Sequence, residues 1–382
     1  MTVTAGDAAE WDSRTDAAQH ALTSLFGPRA LWPGWRNTAP FRLREAATLN
    51  YWWRAHLIEV RVDAFERTGD ARWLAGALRV RDALLLRNRG LFNDYFDDMG
   101  WLGIALLRLH QASGDARCLD DAIALWRRIE RSGQQASGTA GVPWRVQQPQ
   151  YKNAPTNGTF ALLSSRLGAV TGAREFTDSA AATLRWFDDA GIVDPGSGLV
   201  FDGVNRRGDG AIDTDWVFSY CQGLYVGALV ERYRGSGRAE LLDAAVRTAE
   251  AAVARLAPTG VIVSENSRFD ERAGGDVGLF KGVLVRYLGE LVHVLPGDSE
   301  ARRMLAGFLR ETTDALWSGL RATRGLRAGD VWGEPAPTIT FLSTQLSATM
   351  ALEARARLEA LGPEVVGLEA LRPEGLRPEG PR

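Results

Sequence analysis

Long stretches of the chain place apolar residues three or four positions apart, the spacing that gathers them on one side of an α-helix. Trp53, Ile58, Val62 and Phe65 follow it, and so do Trp73, Leu74, Ala77 and Val80. Further pairs run from Leu102 to His110 and Cys118 to Ile129, from Phe160 to Val170 and Phe176 to Phe187, and from Leu224 to Tyr233 and Leu241 to Leu256. Short polar breaks containing glycine separate the members of each pair. Glycine ends a helix at little cost because it accepts the left-handed conformation.

Six such breaks occur, at Thr68-Gly69-Asp70, Ser113-Gly114-Asp115, Thr171-Gly172-Ala173, Gly235-Ser236-Gly237, Pro296-Gly297-Asp298 and Leu361-Gly362-Pro363. Counted from Gly69 through Gly114, Gly172, Gly237 and Gly297 to Gly362, the spacings are 45, 58, 65, 60 and 65 residues. Each interval holds two ordinary helices and one longer connection. Helix, tight turn, helix is an αα-hairpin. Six hairpins, each with one apolar stripe, bury those stripes together by closing into a ring or by stacking as a solenoid. The pattern predicts the ring, an all-α (α/α)6 toroid, because its long connections then share one rim. Those connections, roughly 87–98, 133–158, 189–216, 258–280 and 325–340, are rich in Trp, Tyr, Asn, Asp and Gly. Chemistry is expected on that rim.

Two ends fall outside the pattern. Residues 1–14 are expected to be a flexible N-terminus, and 361–382, with their tandem Leu-Arg-Pro-Glu-Gly repeat, a disordered tail. Nothing in the composition divides residues 15–360, which are expected to form one domain.

Composition narrows the function classes. With 45% hydrophobic and 24% charged residues the chain can bury a core, which excludes wholesale disorder. A formal charge of −2 offers no broad basic surface, so nucleic acid is not expected as a partner. Two cysteines, Cys118 and Cys221, build no disulfide framework and read as small buried residues. No apolar run reaches the ~18 residues of a membrane span, and the start lacks a secretory pattern. A soluble, cytoplasmic monomer is the expectation, with secretion as the alternative. Only Lys152 and Lys281 are lysines among 45 basic residues, a bias that points to a GC-rich bacterial gene.

The rim segment Asn93-Asp94-Tyr95-Phe96-Asp97-Asp98 enters the helix that continues through Leu102. One aspartate at a helix start is ordinarily a cap or a dipole partner. Asp97 and Asp98 together exceed what one cap requires. Adjacent carboxylates raise one another's pKa, so one stays protonated while the other, helped by helix amides, ionises. Glycoside cleavage needs that division between an acid and a nucleophile. Around the pair, Trp52, Tyr95, Trp101, Tyr220 and Trp332 offer flat apolar faces for sugar C–H groups. Asn93, Lys152, Asn153, Asn157, Gln222, Asp276 and Lys281 offer polar partners for hydroxyls. Lys281 at a helix start opposes the dipole, so a rim carboxylate such as Asp276 is expected to stabilise it. The four dispersed histidines, and the lack of a phosphate loop or a serine elbow, disfavour metal, nucleotide and triad chemistry.

Four landmarks in this order resemble glycoside hydrolase family 76, the endo-α-1,6-mannanases: Tyr51-Trp52-Trp53-Arg54-Ala55-His56, Asp97-Asp98-Met99-Gly100-Trp101, Tyr151-Lys152-Asn153-Ala154, and Phe280-Lys281-Gly282-Val283 with Arg286-Tyr287. The resemblance runs from about Tyr51 to Tyr287 and, less clearly, to Leu352. It implies the same toroid, no metal or other cofactor, and an α-mannan or manno-oligosaccharide substrate. It also implies endo cleavage with retention, Asp97 as nucleophile and Asp98 as general acid/base. Retention fits carboxyl groups ~5–5.5 Å apart. The family commonly has Tyr-Asn-Gln-Gly where this chain has Tyr220-Cys221-Gln222-Gly223, so one polar amide has become a thiol. Transglycosylation, hydrolysis of another α-linked glycan, and a non-catalytic carbohydrate-binding toroid are the alternatives.

Overall fold

The computed structural model describes residues 5–30, 34–135, 141–262, 265 and 275–361. Its helices in chain order are α1 (Ala5–Phe26), the single turn α2 (Leu43–Ala46), α3 (Tyr51–Thr68), α4 (Ala71–Asn88), α5 (Phe96–Ser113), α6 (Ala116–Gln135) and α7 (Ala154–Thr171). They continue as α8 (Arg174–Asp189), α9 (Ser219–Ser236), α10 (Ala239–Leu256), α11 (Val277–Val294), α12 (Glu300–Arg321) and α13 (Leu342–Ala360). Short strands stand in the connections: β1 (Thr38–Ala39), β2 (Pro143–Arg145), β3 (Gln148–Asn153), β4 (Gly203–Val204) and β5 (Thr340–Phe341).

Helices α3, α5, α7, α9, α11 and α13 pack in that order and close on themselves, with α13 against α3. Around them α4, α6, α8, α10, α12 and α1 form an outer ring, most of them chiefly against one inner helix and α12 between α11 and α13. This is the predicted (α/α)6 toroid. The turns are local chemistry. Gly69 and Gly114 take φ of 71° and 74° and donate their N–H to Phe65 and His110 carbonyls. Asp70 and Asp115 then accept the first free N–H groups of the next helices, from Arg72 and Arg117.

The sixth pair departs from expectation. Gly362 and Pro363 lie outside the described residues, as does the expected disordered tail beyond 361. The partner of α13 is α1, from the other end of the sequence. Thr15 donates to the Leu352 carbonyl at 3.1 Å, and the Gln19 amide donates to Glu353 at 2.8 Å. The expected flexible stretch 1–14 is therefore helical from Ala5, with Trp11 only 3% exposed, because α1 is what covers the outer face of α13.

The two rings also differ in pattern. Outer helices carry the expected single stripe; α6 buries Cys118, Ala122, Leu125, Trp126 and Ile129. Inner helices are buried almost all round, and α11 is buried without a break from Val277 to Gly289. Close contact there needs glycine: a Cβ at Gly282 would sit 2.6 Å from Ser347 Cα.

All six inner helices start at one end of the ring, where the strands lie. β1 pairs antiparallel with β5, and β2, β3 and β4 form a small antiparallel sheet. At the opposite end the inner helices bury an ion network. Asp63 meets Arg286 at 2.6 Å, Arg108 at 2.8 Å and Arg357 at 3.0 Å. Those arginines hold the Asp63 carboxyl well below its usual range despite its burial. Removing one partner would strand a buried charge, so the network fixes register at that end.

Candidate active site

A cleft of about 480 Å³ opens at the N-terminal ends of the inner helices. Its floor includes the first turn of α5. Asn93 forms the approach, its Oδ1 accepting the Tyr95 N–H at 2.7 Å in an Asx turn that aims the chain into the helix. Asp97 and Asp98 follow in the first turn, both lining the cleft and both partly exposed. Asp97 Oδ1 accepts the Asp98 N–H at 2.9 Å and its Oδ2 accepts the Trp144 indole N–H at 3.0 Å. Asp98 Oδ2 accepts the Asn93 side-chain amide at 2.7 Å.

The two carboxyls differ in proton affinity. Desolvation at the base of the cleft raises Asp97 to about 7, against the pull of the Asp98 amide and the Trp144 indole, with Asp202 and Asp276 adding repulsion. Desolvation raises Asp98 well above its ordinary value, and the charge of Asp97 raises it further. The pair titrates together, so apparent values belong to both. Two donors on Asp97 favour it as the ionised member, and Asp98 is left as the proton carrier.

The walls are aromatic and acidic. Asp276 Oδ1 accepts indole N–H bonds from Trp52 at 2.9 Å and from Trp53 at 2.8 Å. Tyr220 and Phe280 stack with centroids 3.8 Å apart and planes at 7°. Across the cleft, Asp202 Oδ2 accepts from the Tyr151 hydroxyl at 2.5 Å and from Arg206 at 2.7 Å. The Arg206 guanidinium lies 3.6 Å from the Trp216 ring centre. Beyond Arg206 and Trp216 the surface dips again into a hollow of about 170 Å³ that includes Arg207, Asp209 and Asp213.

The sequence model of glycosyl hydrolase family 76 matches residues 10–361. The chain belongs to that family. An α-1,6-mannanase from Salegentibacter shares 32% identity over 91% of this family 76 chain and 99% of its own, with a TM-score of 0.82. A Listeria innocua protein shares 32% identity over 92% and 98%, with a TM-score of 0.83. An inactive variant of the Salegentibacter enzyme, with two consecutive aspartates replaced by asparagine, has been solved in complex with α-1,6-mannotriose. It shares 31% identity over 91% of this chain and 99% of its own, with a TM-score of 0.81. Family and relatives make this chain a glycoside hydrolase.

In this family 76 enzyme the cleft gathers Trp52, Tyr95, Asp97, Asp98, Trp101, Asn153, Tyr220 and Asp276 of the residues expected at the site. Asn93 stands behind Asp98 as its donor. Asn153 also caps α7, accepting the Thr156 N–H at 3.2 Å. The other expectations need correction. Tyr151 and Asn153 face the cleft, so strand alternation turns the intervening Lys152 to the far side of β3, where it is 5% exposed. Lys281 is buried and its ammonium donates to the backbone carbonyl of Asp330, in place of the expected Asp276. Trp332 is 4% exposed and belongs to the core.

Asn157 and Gln222 are loop clips. The Asn157 amide accepts from the Val142 N–H at 2.8 Å and donates to the Val142 carbonyl at 3.0 Å. Gln222 does the same with Val200, at 2.8 Å and 2.6 Å. Gln345 accepts from the Ala328 N–H and donates to the Leu326 carbonyl. Each clip is the fourth residue of its inner helix, α7, α9 and α13, and each pairs with the rim connection just before it. An amide mimics a peptide group, so it satisfies loop backbone that would otherwise be buried unpaired.

Sequence reasoning left Asp202, Arg206, Trp144 and Tyr151 out of the binding set, although all four fall in the rim connections 133–158 and 189–216. Asp202 carried a weak signal, a carboxylate between Phe201 and Gly203 in a rim connection.

Proposed function

We propose that the enzyme is a retaining, endo-acting α-1,6-mannanase with Asp97 as nucleophile and Asp98 as general acid/base. One observation carries the assignment: the two carboxyls share the cleft floor with unequal hydrogen-bond partners, two donors on Asp97 and a side-chain amide on Asp98.

The ionised Asp97 attacks the anomeric carbon while Asp98 gives its proton to the departing glycosidic oxygen, leaving a glycosyl ester on Asp97. Asp98, now a carboxylate, takes a proton from water as that water attacks the anomeric carbon and releases Asp97. The Trp144 and Asp98 N–H donors stabilise the leaving carboxylate in the second step. Trp52 and Tyr220, half-buried on the cleft wall, supply sugar platforms, with the buried Trp101 and Phe280 packed behind them. Mannan as substrate is supported by the mannotriose complex of the relative. Endo action is supported by the second hollow beyond Arg206 and Trp216, which offers room for sugar outside the cleft.

Asp97→Asn and Asp98→Asn are each expected to lower α-1,6-mannan hydrolysis by about 100-fold or more with folding intact. Proton NMR of the first products is expected to show the α anomer, and chromatography a ladder of internal fragments. A β anomer, monomannose as sole early product, or full activity in either variant would refute the assignment. New glycosidic bonds in place of reducing ends would favour the transglycosylase.

A further inference from the structure

Single exposed apolar residues are ordinary on a protein surface. Their placement here is not ordinary. The large apolar side chains exposed by 40% or more among the described residues are Phe41, Leu43, Leu86, Phe92 and Val146. All five stand at the cleft end of the toroid: Phe41 and Leu43 in the connection leading to α3, Leu86 in the last turn of α4, Phe92 just before α5, and Val146 in the β2–β3 turn.

Backbone tethers draw these segments into one surface. Arg87 donates to the Thr48 carbonyl at 3.3 Å, which joins the end of α4 to the segment carrying Leu43. The Tyr51 hydroxyl donates to the Leu91 carbonyl at 2.5 Å. Asn88 donates to the Phe92 carbonyl at 2.8 Å, and the Val146 N–H to the Asp94 carbonyl at 2.9 Å. The surface borders the cleft directly, because Leu49, Asn50 and Tyr95 line its mouth.

Charge on this surface has one sign in excess. Residues 41–49 contribute Arg42, Arg44 and Glu45, and residues 86–94 contribute Arg87, Arg89 and Asp94, four cations against two carboxylates. Glu45 is paired with Arg44 at 3.0 Å. Leu43, between Arg42 and Arg44, is 76% exposed, and Leu86, just before Arg87, is 82% exposed. Sugar recognition sets aromatic faces among amides and carboxylates, whereas aliphatic side chains interleaved with arginines match a sheet of anionic headgroups over hydrocarbon.

We propose that this rim is a docking surface for an anionic lipid bilayer, with Leu43 and Leu86 entering the headgroup boundary and Arg42, Arg44 and Arg89 neutralising lipid phosphates. Docked this way, the cleft faces the surface it rests on, and a mannan chain attached to that surface reaches Asp97 and Asp98 without diffusing through bulk solution. The inference goes beyond the hydrolase reading, and vesicle binding is measured without any glycan, so failure of one leaves the other standing.

The test is co-sedimentation of the full chain with vesicles of equal parts phosphatidylglycerol and phosphatidylcholine, beside vesicles of phosphatidylcholine alone, at an ionic strength of about 0.1 M. Binding to the anionic vesicles alone is expected. Leu43→Ser with Leu86→Ser is expected to weaken it about tenfold or more. Arg44→Gln with Arg89→Asn is expected to weaken it about fivefold per charge. Both double variants should keep the circular dichroism of the parent and its hydrolysis of soluble α-1,6-mannotetraose. No sedimentation, equal sedimentation with both lipids, or binding unmoved by either variant overturns the proposal. So does light scattering that finds a dimer of the parent, dissolved by the leucine variant, with no vesicle binding: the patch would then hold a second copy.

Discussion

Trp144 donates its indole N–H to Asp97 Oδ2 at 3.0 Å, whereas Asp98 receives the side-chain amide of Asn93 at 2.7 Å. The indole comes from β2, outside the helix that carries both acids, so a rim strand tunes the nucleophile. Asp97 must be ionised to attack, and activity should rise with pH through a limb near 7, then fall as Asp98 loses its proton. Trp144→Phe keeps the ring and removes the donor, which destabilises the carboxylate. Its rising limb in kcat/KM is expected about one unit higher in pH, measured with α-1,6-mannotetraose.

Activity and stability pull against each other at Asp97. Its folded pKa is raised to about 7, against an unfolded value of about 3.9. A group shifted upward adds stability below the unfolded value and loses it as pH rises through the folded one. At pH 8 the desolvated carboxylate is therefore a cost. Asp97→Asn is expected to unfold at higher temperature than the parent at pH 8, by more than about 1 kcal/mol in stability, with the gap closing near pH 4. Thermal unfolding followed at both pH values decides it.

Gln222 and Asn157 should behave as structural residues. Alanine at either position leaves a buried N–H and carbonyl of Val200 or Val142 unpaired. The expected loss is about 2–4 kcal/mol in denaturant unfolding, with KM for mannotetraose held within about twofold. A large KM change with unaltered stability would instead mark a substrate contact.

Asp276 holds two indoles on one oxygen, and Trp52 lines the cleft. Asp276→Ala frees both rings and is expected to lower kcat/KM about tenfold, mostly through KM. Asp276→Asn keeps an acceptor at Oδ1 and should recover most of that loss. Equal damage from both variants would mean that the charge, and not the alignment of Trp52, matters.

What the sequence made legible was local. Gly69 and Gly114 close their own helices within one turn, and the Asp97–Asp98 pair announces itself by adjacency. The ring was legible, but the outer partner of α13 was not, because the bond from Thr15 to Leu352 spans 337 residues and no periodicity records it. The amide clips were misread for a related reason. Asn157 and Gln222 are polar residues near a rim rich in polar residues, and only the path of the preceding connection shows that their partners are Val142 and Val200. Lys152 was misread because its rarity drew attention, while its facing was set by the strand register of β3 with β4.

Pairing of α1 with α13 has a consequence for biosynthesis. As the polypeptide leaves the ribosome, α1 emerges before the other helices of the toroid and long before its partner α13, while each following hairpin can fold on its predecessor. Its Trp11 face must wait, shielded or sticky, until the last inner helix is released. A circular permutant that begins before β1 and carries α1 behind α13 on a short linker would turn this long-range contact into a neighbouring one, and should refold faster with the same active-site rim.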